Sequence, residues 1–347
     1  LKFINEKDLG LDKDHIVKLS LKKESREKYD VFKSELLQNP DIVSVTATNS
    51  PIHGIYWNGH GWDWDGREET TDPLTTYLYT DFDLFKTFNI ELAEGRFLAK
   101  EFDAKESENS ANIMINEAYA RIIGKESAVG QVLTNGNNQA NIVGVVKDFH
   151  YKPLQAEIGP IMISYSPERF YYMYIKIRSD NIQAAIGHIE NMYKKFSPGY
   201  NFEYNFLDED YDRMYRGVRR AGAILGYFAL LAVIVSCLGL FGLASFMAEN
   251  RTKEIGIRKV MGSSITGIIG LLSKDFIKNV MLANFIAWPL AYFFIKGWLD
   301  NFAYKTGINI LLFIASGLLA LVIALLTVSF QAIKAARTNP VDSLKYE

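Results

Sequence analysis

The distribution of apolar and charged residues divides the chain into two parts shortly after residue 215. Before this point, charged, polar and aromatic residues are mixed as in an ordinary globular domain. Beyond it, the runs 221–248, 279–295 and 306–333 contain no Asp, Glu, Lys or Arg. A helix of about 20 apolar residues, rising about 1.5 Å per residue, crosses a hydrocarbon core about 30 Å thick. The pattern therefore predicts three membrane-spanning helices, at about 221–248, 276–298 and 308–333.

The first part of the chain alternates between helical and strand periodicities. Apolar residues at helical spacing predict helices over Glu24–Leu37 and Asn181–Phe196, with a short one over Phe82–Phe88. Asn181 is placed to cap the second of these helices. Runs of β-branched and aromatic residues predict strands at 42–47, 76–80, 113–115, 142–146, 161–163, 172–177 and 200–206. Strands that alternate with helices in this way indicate an α+β or split βαβ arrangement.

A charged segment, 248–262, separates the first two predicted spans. Glu254 precedes Arg258 by four residues, which is the spacing and order that favour an ion pair on a helix. Ile257, Val260 and Met261 recur at helical spacing and give this helix an apolar stripe. We therefore predict a short amphipathic helix that lies along the membrane surface.

The residues after this helix suit its end. Gly262 is a candidate C′ residue, because glycine enters the left-handed region without a Cβ clash. Ser263 or Ser264 then caps the following helix. A solvated connector, whose charges only keep it out of the lipid, is the alternative interpretation, and the residues alone leave both open.

The distribution of Lys and Arg residues predicts which side of the membrane each end of the spans faces. The loop after the first span and the C-terminal tail carry nine Lys and Arg residues, against six at the opposite ends of the spans. The nine are Arg251, Lys253, Arg258, Lys259, Lys274, Lys278, Lys334, Arg337 and Lys345, and the six are Arg213, Arg216, Arg219, Arg220, Lys296 and Lys305. Because positive residues are enriched on the cytoplasmic side, the loop and tail are expected there, with the large first part outside. The spans contain no Asp, Glu or Arg, which argues against an ion or proton pathway.

The net charge, the cysteine content and the first residues of the chain limit what kind of protein this is. The formal net charge is −2, so the chain lacks the basic field expected of a nucleic-acid-binding protein. Its single cysteine, Cys237, lies in the first span and excludes an intrachain disulfide. The chain begins at Leu1 with neither an initiator Met nor a signal sequence, so we expect a fragment that an upstream span precedes.

Motifs for chemistry are absent from the sequence. No Gly-x-x-x-x-Gly-Lys-[Ser/Thr] loop occurs, so ATP has to be bound by a partner if it drives this protein. No Gly-x-Ser-x-Gly elbow or partnered nucleophile occurs either, and we expect neither enzymatic activity nor a cofactor. The Gly- and Trp-rich stretch 52–65 matches no recognised zinc or calcium spacing, so no metal site is predicted there. Its candidate ligands are His53, His60, Asp63 and Asp65, and its possible packing or partner contacts are Trp57, Trp62 and Trp64.

Small residues mark one face of the first span. Gly222 and Gly226 form a Gly-x-x-x-Gly motif, which lets membrane helices approach closely. A lipid-facing patch is the simpler interpretation, since glycine is frequent in such helices. We favour a helix-packing face that meets a missing half of the protein or a second copy.

Four segments together resemble one family. Arg251–Ser264 is similar to the cytoplasmic coupling segment of MacB/FtsX-type ABC transporter permeases, and Gln331–Val341 resembles the end of their last span. Gly144–His150 and Asn116–Tyr119 resemble pieces of their extracytoplasmic domain. The resemblance covers nearly the whole chain and implies the C-terminal half of a permease with two similar halves.

This resemblance implies an architecture. Residues 1–215 would form a MacB-like periplasmic domain, and residues 216–347 an FtsX-like domain in the bacterial inner membrane. The periplasmic domain would have a porter-like lobe, from about 20–92 and 156–210, with a β-rich insert between these segments.

It also implies a function: a permease subunit that couples a separate cytoplasmic ATPase to movement of the periplasmic domain, for export or extraction of a substrate. The ATPase-docking residues are expected to be Glu254, Ile255, Gly256, Ile257, Arg258, Lys259, Met261 and Gly262. Further expected partners are the missing N-terminal half or a second copy, a periplasmic adaptor or substrate, and membrane lipid. The alternatives are a division-type regulator of a cell-wall enzyme and a membrane-anchored sensor without ATP coupling.

Overall fold

A computed structural model describes residues 8–104, 109–153, 156–251, 254, 257–258, 261, 263–300 and 307–337. The chain divides into two compact units, Leu1–Gly217 and Val218–Glu347. The first unit is built on a single mixed sheet, and the second consists of long helices.

Eleven strands form the sheet of the first unit. They are β1 (Ile16–Ser20), β2 (Ile42–Thr48), β3 (Asn58–Gly59), β4 (Thr75–Thr80), β5 (Leu92–Gly95), β6 (Ser110–Asn116), β7 (Val132–Asn135), β8 (Asn138–Val146), β9 (Ile161–Tyr165), β10 (Tyr172–Ile177) and β11 (Tyr204–Phe206). Their order is β11-β1-β10-β2-β4-β9-β6-β8-β5, with β3 paired to β4 and β7 paired to β8. The pairs β4–β9 and β6–β8 are parallel, and the other described pairs are antiparallel.

Short helices cover the sheet. They are α1 (Lys23–Glu27), α2 (Tyr29–Leu36), α3 (Leu84–Phe88), α4 (Lys100–Asp103), α5 (Glu117–Ile123) and α6 (Ile182–Phe196). Successive strand residues point to opposite faces, so Tyr174 of β10 enters one core while its neighbours Met173 and Ile175 enter another. Both faces of the sheet are therefore buried around β10.

The two expected lobes share this sheet. On one face a single core extends from β1 to β8 and includes Leu78 and Ile163. The opposite face carries two separate cores, one under α2 and α6 and the other under α5. The segment between β5 and β9 thus extends the same sheet with its own helix on one face.

Several predicted elements have different bounds in the structure. The predicted helix over Glu24–Leu37 is two helices, because Lys28 leaves the helical region at φ −111° and ψ 25°. The predicted strand over residues 200–206 begins only at Tyr204. Asn181 is the N-cap residue of α6, as predicted, but its side chain accepts no capping hydrogen bond. Strand β1 was not predicted, because a lysine interrupts its short apolar pattern.

Three long helices follow: α7 (Leu207–Asn250), α8 (Ile265–Leu299) and α9 (Ile310–Arg337). Each contains a stretch long and apolar enough to cross a membrane, within Leu207–Met247, Phe276–Leu299 and Ile310–Phe330. Helix α7 begins 14 residues before the predicted span, within the first unit. The spans were thus predicted, and the extension of the first into the preceding domain was not.

Candidate functional site

The charged segment between α7 and α8 contains a helical turn. Arg258 Nη2 lies 2.6 Å from Glu254 Oε1, and both side chains are roughly half exposed. The Met261 N–H donates to the carbonyl of Ile257 at 3.0 Å. The side chains of Ile257 and Met261 are 51% and 81% exposed. The described residues of this segment therefore present both charge and apolar surface.

The start of α8 follows the predicted capping. Ser264 is its N-cap, and its Oγ accepts a hydrogen bond from the Gly267 N–H at 3.2 Å. The remaining predicted docking residues, Ile255, Gly256, Lys259 and Gly262, lie outside the described residues.

Helix α7 begins in the core of the first unit. Leu207, Tyr211 and Tyr215 recur every four residues and are all buried in the core that also holds Tyr174. The hydroxyl of Tyr211 donates to the carbonyl of His150 at 3.2 Å. Three successive turns of α7 are thus held by the sheet domain.

A charged group secures the same end of α7. Asp210, 7% exposed at its side chain, is hydrogen-bonded to Lys18 Nζ of β1, whose side chain is 13% exposed. Arg213, which also lies 3.3 Å from Asp210, donates to Asn205 at 2.7 Å. We call Leu207, Asp210, Tyr211 and Tyr215 the α7 anchor. An ion pair removed from water in this way has to stay paired, because either charge alone would be costly to bury.

His53 lies beside this anchor. Its ring centroid is 5.7 Å from that of Tyr211, and its buried Nδ1 has no hydrogen-bond partner among the described residues. Burial, together with the positive charges of Lys18 and Arg213, lowers the pKa of His53 to about 4, although Asp210 opposes the shift. The histidine is therefore neutral near pH 7.

Sequence reasoning missed the α7 anchor, although a signal was present. Leu207, Tyr211 and Tyr215 have the i, i+4, i+8 spacing of a buried helical stripe. The Lys18–Asp210 pair joins residues 192 positions apart and carries no local signal.

In the second unit the three long helices share a small buried cluster. Ala244 of α7, Phe276 of α8 and Val328 of α9 are buried together, with Leu240 and Met247 of α7 packed against them. We call Ala244, Phe276 and Val328 the junction. It lies in the halves of α7 and α8 that adjoin the charged segment.

Helices α8 and α9 also approach each other closely. A Cβ built on Gly317 would lie 2.7 Å from Trp288 Cζ2 and 3.3 Å from Asn284 Nδ2. Glycine at this position of α9 therefore makes room for an indole ring of α8. By contrast, Gly222 and Gly226 of α7 are exposed, and a Cβ on Gly226 would meet nothing within 4 Å.

The structure disperses the side chains of the Gly- and Trp-rich stretch. Asp63 pairs with Arg67 and Asp65 with Lys125, while His60 contacts Asp72. Within the described part of the chain, no three His, Cys, Asp or Glu side chains are grouped to hold a metal ion. Trp64 is buried and Trp57 is 46% exposed, so only the latter is available as a surface contact.

The MacB-like periplasmic core domain model matches residues 14–192, just over half of the chain. A second model, the FtsX-like permease C-terminal, matches residues 226–340. The chain belongs to the MacB/FtsX family of ABC transporter permeases. As a family member with three apolar helices, it is a multi-pass inner-membrane protein whose large domain is periplasmic. Permeases of this family work with a cytoplasmic ATPase.

Relatives of this MacB/FtsX permease include longer proteins. The uncharacterized ABC transporter permease YknZ of Bacillus subtilis is 21% identical over 81% of this chain and 72% of its own length. The macrolide export ATP-binding/permease protein MacB of Chromobacterium violaceum is 21% identical over 81% of this chain and 45% of its own length. The chain thus spans less than half of that MacB protein.

Among solved structures, the periplasmic region of MacB from Actinobacillus actinomycetemcomitans is similar, with a TM-score of 0.42 and 14% identity. The similarity covers 61% of this chain and 98% of that one. The extracellular domain of YknZ matches with a TM-score of 0.37 and 13% identity, over 54% of this chain and 88% of that one.

Proposed function

We propose that this chain is the permease part of an ATP-driven transporter of the mechanotransmission type. A separate ATPase binds ATP, docks on the segment 249–262 and, on closing, moves the periplasmic domain to export or extract a substrate. The observation that carries this proposal is α7, one uninterrupted helix of 44 residues. Its first residues are buried in the periplasmic domain, and its last adjoins the docking segment.

The continuity of α7 makes it suitable for transmitting movement. At about 1.5 Å per residue the helix is about 66 Å long, and it contains no proline to kink it. Its interior backbone groups are bonded to one another, so displacement of one end is passed along the axis rather than absorbed by a loop. The buried Lys18–Asp210 pair and Tyr211 hold the other end in the sheet domain.

The docking surface combines two kinds of contact. Glu254 and Arg258 supply exposed charges, and Ile257 and Met261 supply apolar side chains for a groove on the ATPase. Ile255, Gly256, Lys259 and Gly262 complete the proposed docking set through their place in the sequence. The exposed Gly222–Gly226 face of α7 is proposed to pack against the other half of the permease or a second copy.

Charge reversal tests the docking role. The Glu254–Arg258 pair is exposed and contributes only about 0.3–0.5 kcal/mol to its helix, so single reversals leave the protein folded. Glu254→Arg and Arg258→Glu, each in the full-length protein, are expected to reduce the ATPase that copurifies by about tenfold or more. Like charges facing each other across an interface cost several kcal/mol, and about 1.4 kcal/mol is a factor of ten.

Helix α6 offers a matched control. Glu190 and Lys194 form an i, i+4 pair at the same 2.6 Å distance, with 41% and 61% exposed side chains. Glu190→Arg and Lys194→Glu should leave copurification and ATP turnover unchanged. If Glu254→Arg and Arg258→Glu behave like these controls, the segment does not dock the ATPase.

A further inference from the structure

The outer part of α7 is exposed among the described residues of the second unit. Every residue from 221 to 236 is exposed, including Leu225 and Tyr227 at 68% and 70%. The first fully buried residue of this part of the helix is Ala244. Among the described residues of the second unit, burial of α7 is therefore confined to its last turns.

The junction is where α7 meets the other two spans. Phe276 is 4% exposed and Val328 1%, and both share one cluster with Ala244, itself 4% exposed. The small side chain of Ala244 leaves room for the phenylalanine ring. Because buried side chains pack like a jigsaw, a ring held between two other helices cannot move without moving them.

Helices α8 and α9 form the stiffer partner at this junction. Gly317 admits the Trp288 ring so closely that even a methyl group would collide with it. Such close packing along the pair indicates that α8 and α9 move together as a hairpin. The junction then joins a single helix, α7, to a two-helix unit, the α8–α9 hairpin.

The docking segment lies between the two helices that the junction joins. It connects the end of α7 at Asn250 to the N-cap of α8 at Ser264. Phe276 lies 12 residues beyond that cap, about 18 Å along α8. A force applied to the docking segment therefore acts on both helices at the ends that lead to the buried contact they share.

We propose that the junction of Ala244, Phe276 and Val328 is the pivot about which α7 swings relative to the α8–α9 hairpin when the ATPase closes. This inference rests on the proposed function and assigns Phe276 a positioning role in it. Tyr227 lies 17 residues from Ala244, about 25 Å along the helix, so a rotation of about 10° moves it by about 4 Å.

Spin-label distances test the pivot directly. The measurements use the full-length protein with Cys237→Ser and with its ATPase bound. One spin-labelled pair carries Tyr227→Cys on α7 and Tyr292→Cys on α8, both at exposed positions. A second pair carries Leu243→Cys and Lys278→Cys, beside the junction. Trapping the ATPase with ATP and vanadate is expected to shift the first distance by about 4 Å and to leave the second within about 1 Å.

Removal of the ring tests Phe276 itself. Phe276→Ala is expected to retain the ATPase and to reduce the vanadate-dependent shift of the first pair at least fivefold. Phe285→Ala, on the same helix at a side chain 78% exposed, is the matched control and should retain the shift. The exchange Ala244→Phe with Phe276→Ala returns a ring to the cluster and should recover the shift, which a general loss of stability would not allow.

The outcomes separate the two proposals. If wild-type protein binds no ATPase or shows no shift in either pair, the proposed function fails. If the first pair shifts in Phe276→Ala as in wild type, or if the second pair shifts as much as the first, the pivot is wrong while the function stands. If Phe276→Ala does not fold, the milder variant Phe276→Leu is measured instead, and an unreduced shift of the first pair again shows that the pivot is wrong.

Discussion

At the scale of single residues, His53 is held in its neutral form by its surroundings. Burial disfavours the charged ring, and the positive charges of Lys18 and Arg213 act in the same direction. Asp210 opposes them, but its charge is already engaged by Lys18. A proton added to His53 would therefore place a further positive charge against the α7 anchor.

This environment predicts a pH dependence of stability. The pKa of His53 is about 4 in the folded protein, below its ordinary value of 6.5, so the unfolded chain binds the proton more readily. Stability is accordingly lost as the pH falls from about 6.5 towards 4, by on the order of 1–3 kcal/mol. We expect the thermal midpoint of the full-length protein to fall between pH 7 and pH 5 by more in wild type than in His53→Gln. An equal fall in both would show that His53 contributes nothing to it.

Single residues differ in how far sequence could assign them. The Glu254–Arg258 ion pair was predicted correctly, and so was a cap at Ser263 or Ser264, of which the structure has Ser264; both are formed by residues within four positions of each other. Lys18 and Asp210 could not be assigned, since the fold alone brings them together. The docking role of Glu254 and Arg258 stays a prediction.

At the scale of secondary-structure elements, the close packing of α8 and α9 depends on one glycine. A methyl group on Gly317 would lie 2.7 Å from the Trp288 ring, which real Cβ atoms essentially never do. Gly226 of α7 has open space around it. Within this chain, a substitution at Gly317 therefore affects helix packing, whereas one at Gly226 affects only the helix propensity of that position.

Replacement of each by alanine is expected to have opposite effects. Gly317→Ala should destabilise the membrane unit by about 1–3 kcal/mol, because the Trp288 ring has to shift. In this chain by itself, without the partner that the Gly222–Gly226 face is proposed to meet, Gly226→Ala should leave the unit unchanged or stabilise it slightly, because alanine favours helix by about 1 kcal/mol. Thermal unfolding in detergent measures both. Equal midpoints for Gly317→Ala and wild type would show that α8 and α9 accommodate the methyl group.

Elements with strong periodicity were the ones predicted. Strands β2, β4 and β10 and the three spans carry long patterns, and each was found at or near its predicted place. Strand β1 was missed because five residues with a central lysine give little pattern, yet it pairs with both β10 and β11. The split of α1 from α2 was missed because Lys28 breaks the helix without any glycine or proline to indicate it.

At the scale of the whole molecule, the α7 anchor is the point where the periplasmic domain holds the first span. Its strength depends on a buried pair of opposite charges, Lys18 and Asp210. The loss of Asp210 leaves the largely buried Lys18 without this partner, which costs about 3–5 kcal/mol. Removal of both avoids that cost.

We therefore expect Asp210→Leu to lower the thermal midpoint strongly and to abolish ATP-dependent movement of the periplasmic domain. The double variant Lys18→Met, Asp210→Leu should regain most of the stability. Glu209→Gln, at the neighbouring exposed position, is the control and should resemble wild type. If Asp210→Leu unfolds as wild type does, the pair is not what secures the anchor.

The organisation into a sheet domain and a membrane unit was evident from apolar content alone. The resemblance implied two lobes in the periplasmic domain, but not that one sheet runs through both. That continuity depends on β9 pairing with both β4 and β6, a contact between segments distant in sequence. No local pattern could have shown it.

The unbroken course of α7 from Leu207 to Asn250 also constrains how its length can vary. Each residue inserted into a helix turns all later side chains by about 100° and advances them by about 1.5 Å. One added residue between Tyr215 and Leu240 would aim Ala244 away from Phe276, whereas seven would restore its bearing to within about 20°. Length changes in this stretch are therefore tolerable only in steps such as 7 or 11 residues, which return the later side chains to within about 20° of their original bearing.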